Sequence, residues 1–324
     1  MKQFSMPNER PLLHIALSAN SAYVSHLCVT LASVLVNNPM YQVVAHIVFS
    51  DFGEKEKALV EATCRPFKAV AHFYQLSEKE QSVFQNSAES SLSADTFSRC
   101  FLALLLDKTI ERVLYLDCDL LVRHSLQVLW ETPLDDVAIG AVEEAMLKEQ
   151  HQSMFNRLGY GAEEGYFNAG VQLINLCYWR EHGILEQCVS TFHRERARIV
   201  YDDQDMLNLV LRGKVHYLAP RYNCTLSYYK TECYPQLRYG WEGLLPEIED
   251  PVIIHFIGPH KPWRLRCNHP LEDEYFHYLR FTPLPSLSLW VKLRRLWRKM
   301  TRILHLRRQP AWYCWKRDRA KWFG

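Results

Sequence analysis

The chain has 324 residues, 48% of them hydrophobic, and a formal net charge of +2, a length that supports one sizeable core with a smaller appendage. The small net charge hides an asymmetry: residues 290–324 hold twelve Lys/Arg against the single acid Asp318, leaving 26 bases and 35 acids in the first 289 residues, a net of −9. No run of ~18 apolar residues occurs and no Cys-x-x-Cys pair is present, which excludes a membrane-spanning helix and the common zinc frameworks.

In chain order, the polar stretch 1–10, with Pro7, carries no signal-peptide hydrophobic region. Ten scattered cysteines, several inside apolar runs, read as buried free thiols, so a reducing, cytoplasmic setting is expected. Residues 12–18 predict a first strand, and 24–36 carry helical apolar spacing that stops near Asn37-Asn38-Pro39. A second strand at 43–49 precedes a charged helical stretch at 54–64, and 69–74 reads as a third strand. A Ser-rich loop covers 87–93, Asp95 is placed to cap a helix running to about residue 107, and 113–116 is the fourth strand. This βαβα rhythm predicts an α/β fold with a mostly parallel open sheet, whose ligands bind beyond the carboxyl ends of the strands. The turn Ser18-Ala19-Asn20-Ser21-Ala22 is not glycine-rich and no Gly-x-x-x-x-Gly-Lys-Ser/Thr occurs, so a nucleotide diphosphate would be held through a metal instead. The second half is less regular: strands at 137–142 and 169–176, the latter after a polar loop at 159–168, then a helix opened by Asp202 or Asp203 and running to 211. Asn223-Cys224-Thr225 fits a glycosylation pattern and is read as accidental. The turn-rich aromatic segment 221–241 fits a lid, an acceptor surface or a long loop.

The stretch Val113-Leu114-Tyr115-Leu116-Asp117-Cys118-Asp119-Leu120-Leu121-Val122 carries the most chemistry. A buried strand ends in two carboxylates spaced i, i+2, and burying two unpaired carboxylates would cost roughly several kcal/mol each. They belong at a strand end facing a cleft, with a cation; hard oxygen ligands suit Mg²⁺ or Mn²⁺, which commonly bridge to phosphate. Three further clusters follow: Tyr166-Phe167-Asn168-Ala169-Gly170-Val171-Gln172-Leu173-Ile174-Asn175-Leu176, Tyr201-Asp202-Asp203-Gln204-Asp205-Met206-Leu207-Asn208, and Val252-Ile253-Ile254-His255-Phe256-Ile257-Gly258-Pro259-His260-Lys261-Pro262-Trp263. Arg99 precedes the aspartate strand. Singly, each has a plain reading: a loop asparagine, a helix cap, a core histidine, a solvated turn lysine.

In this order the clusters closely resemble glycosyltransferase family 8, above all its bacterial lipooligosaccharide and lipopolysaccharide α-galactosyl- and α-glucosyltransferases. The resemblance implies a single nucleotide-sugar-binding domain of the glycosyltransferase A type over residues 1–270 and a small helical extension over 271–324. It implies that Asp117, Asp119 and His255 bind Mn²⁺, with Mg²⁺ a weaker substitute because it avoids nitrogen ligands. It places Ala19, Asn20, Tyr23, Asp117, Cys118, Gly258 and Lys261 at the nucleotide, and Arg99, Glu144, Asn168, Asp203 and Gln204 around the donor sugar. Two positions depart from the pattern. The family commonly carries Ala-Asp-Asp-Asn-Tyr where this chain has Ala19-Asn20-Ser21-Ala22-Tyr23, so strictness for uracil is open; and Glu144 stands where the galactosyltransferases carry Asp, so galactose versus glucose is open. The implied reaction is transfer of a hexose from a UDP-sugar with retention, giving an α linkage. The residue inferred under the anomeric carbon is Gln204, a poor nucleophile, which favours front-face attack; Asp203 is the alternative nucleophile.

In the tail, Leu289, Leu293, Leu296, Trp297, Met300, Ile303 and Leu304 recur at helical spacing beside Lys292, Arg295, Lys299 and Arg302, and Trp312, Trp315 and Trp322 lie among further bases. A basic, Trp-bearing amphipathic stretch reads as an interfacial anchor on an anionic inner-leaflet surface, fitting a lipid-linked oligosaccharide acceptor and a peripheral place on the cytoplasmic face. Nucleic-acid binding, which the acidic body opposes, and a helix packed on the domain are the competing readings. Two other classes stand as alternatives for the whole chain. One is a phosphohydrolase of the haloacid dehalogenase type with Asp117 as covalent nucleophile, although Leu121 occupies the place where that family carries Thr or Val. The other is a non-catalytic carbohydrate- or membrane-binding protein.

Overall fold

β1 (Leu12–Ser18) alternates Leu13, Ile15 and Leu17 onto one face of a sheet and Ala16 onto the other, all fully buried, as a central strand covered on both sides requires. The computed structural model describes residues 10–84, 94–146, 148–161, 164–229, 243–259, 261–264, 267, 269–285, and positions 293, 296, 297 and 300. After β1 come α1 (Val24–Asn37), β2 (Gln42–Phe49), α2 (Glu54–Cys64), β3 (Val70–Gln75), α3 (Glu78–Ser82), α4 (Leu102–Leu105), β4 (Arg112–Leu116), β5 (Leu120–Val122), α5 (Gln127–Trp130) and β6 (Ile139–Glu143). The second half adds α6 (Lys148–Leu158), β7 (Phe167–Asn175), α7 (Leu176–Glu181), α8 (Ile184–Arg194), α9 (Asp202–Val210), β8 (Val215–Leu218) and β9 (Cys224–Thr225). It closes with α10 (residues 243–249), β10 (Ile253–His255) and α11 (Glu274–Leu279).

Seven strands form one sheet in the order β3-β2-β1-β4-β7-β6-β8. β1 pairs in parallel with β2 and β4, β2 with β3, and β6 with β8, while β7 runs antiparallel to β4 and β6. The mostly parallel α/β sheet expected from the sequence is present. The strand order reverses between β1 and β4, and the loops leaving those two strands, at Asn20 and at Asp117, open at that switch point. One face is covered by α1 and α2 through Leu27, Leu31, Val34 and Val60. The other is covered by Phe97, Phe101, Trp179 and Phe192.

Three features depart from the expectation. The helix proposed from Asp95 is a 3-10 helix, Ala94–Phe101, followed by the single turn of α4. Every residue from Phe97 to Leu102 is buried, so packing on all sides overrides the one-faced pattern of an amphipathic helix; the Asp95 side chain itself lies outside the described residues. The apolar run after Asp119 is β5 of a second sheet, β5-β10-β9, in which His255 pairs with Leu120 and with Thr225. Finally, residues 271–285, grouped with the tail in the sequence reading, include Tyr275 and Tyr278, which pack with Val29, Leu121, Ile254 and Phe256. The Ser-rich loop 87–93, the lid segment beyond residue 229 up to 241, and residues 301–324 lie outside the described residues. Among the described cysteines all are free thiols, and only Cys177 is exposed. No helix among the described residues is long and apolar enough to cross a membrane.

Candidate active site

The β4–β5 turn presents Asp117 and Asp119, and the small sheet delivers His255 to them. Their ligand atoms all lie within 4.8 Å of one another; His255 Nε2 stands 3.0 Å from Asp119 Oδ1 and 3.7 Å from Asp117 Oδ2. The protonation of this imidazole follows from a chain of bonds. The Gly170 backbone N–H, which can only donate, meets Asn168 Oδ1 at 2.9 Å. That fixes the Asn168 amide, so its Nδ2 donates to Glu144 Oε2 at 2.6 Å. Asn223 Nδ2 donates to the same Asn168 Oδ1 at 2.7 Å, leaving Asn223 Oδ1 to face His255 Nδ1 at 2.8 Å. Nδ1 therefore carries a proton, and Nε2 is the ring nitrogen turned toward the two carboxylates. Two carboxylates and an imidazole held by a second amide make a donor set that fits a divalent cation such as Mn²⁺. Gly170 is part of the fit, because a Cβ there would fall 2.2 Å from His255 Cε1 and 2.8 Å from Asp117 Oδ2. Burial works against an ionised Asp119, yet His255 and then Lys261 hold its carboxyl well below the usual range.

Arg99, 5% exposed, ties this cluster to the next. Its Nη2 donates to Asp117 Oδ1 at 2.9 Å, its Nη1 donates to the Ala169 carbonyl, and its Nε lies 2.9 Å from Asp203 Oδ2 as an ion pair without hydrogen-bond alignment. The guanidinium lies over the Tyr115 ring at 4.3 Å, and the Tyr115 hydroxyl donates to Asp117 Oδ1 at 3.1 Å. Burial pushes the Asp203 carboxyl up to about 7 against the pull of Arg99. Gln204 sits beside it on α9: its Oε1 accepts from the Ala169 N–H at 3.0 Å, and its Nε2 lies 3.2 Å from both Glu144 Oε2 and the Tyr166 hydroxyl. Burial raises Glu144 as well, opposed by the amide donors of Asn168 and Gln204.

Of the residues singled out in the sequence, Arg99, Asp117, Asp119, Glu144, Asn168, Asp203, Gln204, His255 and Gly258 line one cleft of about 500 Å³. Lys261 joins it from the side, its Nζ donating to Asp119 Oδ2 and, at 2.7 Å, to the Phe256 carbonyl. Ala19, Asn20, Tyr23 and Cys118 lie outside that lining, at the carboxyl ends of β1 and β4. The Cys118 Sγ donates to the Ser18 carbonyl at 2.7 Å, and Asn20 Oδ1 is buried with no hydrogen-bond partner.

Sequence reading missed three contributors. Asn223 was set aside as part of an accidental glycosylation pattern and instead orients His255. Gly170 stands in the sequence as one letter of the Tyr166–Leu176 cluster, with nothing local to mark its closeness to His255. Asp205, fully buried, accepts from both Arg157 Nη atoms, from the Val200 and Tyr201 N–H groups and from the Tyr166 hydroxyl. It thereby pins the backbone entering α9, where Asp202 adopts a positive φ of 41°. The signal for Asp205 was present in Asp-Gln-Asp but carried no direction.

A mostly parallel α/β sheet that offers an Asp-x-Asp turn to a cleft walled by amides, carboxylates and an arginine is the arrangement of a glycosyltransferase of the A-type fold. The Glycosyl transferase family 8 profile matches residues 14–267, and the chain belongs to that family. It is 29% identical to General stress protein A of Bacillus subtilis (strain 168), over 84% of this chain and 94% of that one. It is 27% identical to the Lipopolysaccharide 1,3-galactosyltransferase of Salmonella typhimurium, over 84% of this chain and 79% of that protein. The crystal structure of galactosyltransferase LgtC in complex with donor and acceptor sugar analogues matches with a TM-score of 0.71 at 27% identity, covering 87% of this chain and 100% of that one. The family assignment sets aside the phosphohydrolase reading of Asp117.

Proposed function

We propose that the chain is a retaining, Mn²⁺-dependent glycosyltransferase that moves galactose or glucose from a UDP-sugar to a lipid-linked saccharide with α linkage. The observation that carries this reading is the convergence of Asp117, Asp119 and Nε2 of His255 at a polar cleft. When bound there, Mn²⁺ supplies the positive charge that a departing nucleoside diphosphate requires. The remaining work falls to side chains. Lys261, already directed at the acidic cluster, holds the diphosphate electrostatically together with the Gly258 backbone, which has a φ of +68°. Asn20, at the carboxyl end of β1, carries an amide that can both donate to and accept from a base. Arg99, fixed by Asp117 and Asp203, anchors the donor side; Glu144 presents its carboxylate to sugar hydroxyls, and Asn168, whose Oδ1 is already taken by Gly170 and Asn223, has its second amide N–H to offer.

Gln204 is held by three partners and is a weak nucleophile, so the acceptor hydroxyl attacks from the face the leaving group departs, and the leaving phosphate takes its proton. Asp203, bound by Arg99, is the reserve nucleophile. The outer rim of the cleft, with Met146 and the half-exposed Tyr201, offers an apolar and aromatic surface to an acceptor saccharide. Residues 1–270 form the transfer domain, onto which residues 271–285 pack. The basic, Trp-rich segment beyond about residue 290 associates with an anionic cytoplasmic membrane face; Leu293, Leu296, Trp297 and Met300 are helical and each is more than half exposed.

A screen of UDP-galactose and UDP-glucose with Mn²⁺, by slow hydrolysis and then with lactose-like and glucose- or heptose-containing acceptors, tests this reading. Turnover of one donor is expected to fall more in rate than in donor affinity in Gln204→Ala. Absence of turnover with every UDP-hexose, in a folded chain that binds Mn²⁺, would return the protein to a non-catalytic binding role.

A further inference from the structure

The first turn of α1 carries a side chain that no motif marks. His26 stacks face to face on Trp263, with ring centroids 3.6 Å apart and planes 14° from parallel. Its orientation is locked by a 2.7 Å hydrogen bond between Nδ1 and the Tyr275 hydroxyl on α11. Tyr23 closes the stack edge-on, 5.6 Å from His26 and 6.5 Å from Trp263. Burial holds the His26 imidazole down to about 4, so it stacks as a neutral ring. The two partners differ in how firmly they are held. α1 is anchored along its length by fully buried Leu27, Cys28, Val29 and Leu31, whereas Trp263 is only partly buried, in the connection after β10, where Gly258 is left-handed and Arg264 N–H donates to the Lys261 carbonyl at 2.9 Å.

We propose that His26 is a positioning residue for Lys261: its stack on Trp263 latches residues 261–263 to α1 and so fixes the lysine against the nucleotide diphosphate. Lys261 and Trp263 are separated only by Pro262, whose ring locks φ, so a displaced indole carries the lysine with it. The inference rests on the reading of Lys261 as a diphosphate ligand given above.

The test is a double-mutant cycle in the full chain, with UDP affinity measured by calorimetry in saturating Mn²⁺ and the melting temperature recorded for each variant. His26→Ala is expected to weaken UDP binding by about tenfold, His26→Phe, which keeps the stack, to stay within about twofold of the wild type, and His26→Ala on a Lys261→Met background to add nothing further. Should His26→Ala fail to fold, His26→Gln, which removes the aromatic ring at similar volume, carries the same cycle. Equal penalties with and without Lys261, or unchanged binding in the folded His26 variants while Lys261→Met weakens it, overturn the latch alone. Unchanged binding in Lys261→Met overturns the diphosphate role of the lysine and the latch with it.

Discussion

His255 is held by an amide relay rather than by its own strand alone. Gly170 N–H, Asn168, Asn223 and the imidazole form a directed chain in which each donor is fixed by the one before. Removing one link leaves the ligand present but free to adopt the wrong tautomer. Asn223→Ala is therefore expected to lower Mn²⁺ affinity by roughly 10- to 100-fold, the range for partners of metal-ligating histidines, with little change in the far-ultraviolet circular dichroism spectrum. Gly170→Ala should do at least as much, because its Cβ meets the imidazole at 2.2 Å. Calorimetric titration of Mn²⁺ into each variant checks both, and wild-type affinity in either would break the relay argument. These two residues also mark the limit of sequence reading. Asp117, Asp119 and His255 announce themselves because their chemistry is unusual at strand ends. Asn223 does not, because its meaning depends on β9 lying beside β10, and a two-residue strand has no periodicity to read.

Elements set the next level. β1, β2 and β3 bring His14, His46 and His72 side by side on one face of the sheet: His14 Nδ1 is 3.0 Å from His46 Nε2, His46 Nδ1 is 3.0 Å from the Tyr74 hydroxyl, and His46 and His72 stack at 5.7 Å. Burial, with His14 and His72 adding to it, lowers the buried His46 to about 3, and burial also lowers His14. The folded pKa lies below the unfolded value near 6.5, so stability is held above about pH 6.5 and lost as pH falls from there toward 3, by at most about 1.4 kcal/mol per pH unit for one proton. Urea unfolding at pH 7.5 and pH 5 is expected to show this loss in the wild type and a smaller loss in His46→Gln; equal losses would remove His46 as the cause. Long elements such as α1, β1 and β2 were legible because their apolar period is sustained. The 3-10 helix before α4 was not, because all of Phe97 to Leu102 is buried and no exposed side breaks the pattern.

For the whole molecule, the parallel sheet and its switch point were readable from the alternation of strand and helix, and the family from four clusters in fixed order. Neither the second sheet, which joins residues far apart in sequence, nor the packing of α11 on α1 has a local signature. The charge asymmetry between an acidic body and a tail carrying a net +11 over residues 290–324 leads to a prediction at this scale. Truncation after Leu289 is expected to release the protein from anionic vesicles while turnover on a small soluble acceptor survives, and binding of the full chain should weaken with salt as the Debye length falls below ~8 Å. Continued co-sedimentation of the truncated chain, or loss of soluble-acceptor activity in a folded truncation, would make the tail a structural or acceptor-binding element.

The central claim is that Asp117, Asp119 and His255 act as one cation site for sugar transfer. UDP-hexose turnover measured in excess EDTA, then after Mn²⁺ is restored, tests it most directly, with Asp119→Ala run alongside. The expected result is loss of turnover in EDTA, recovery with Mn²⁺ in the wild type, and no recovery in Asp119→Ala; full turnover in EDTA, or in the variant, would contradict it.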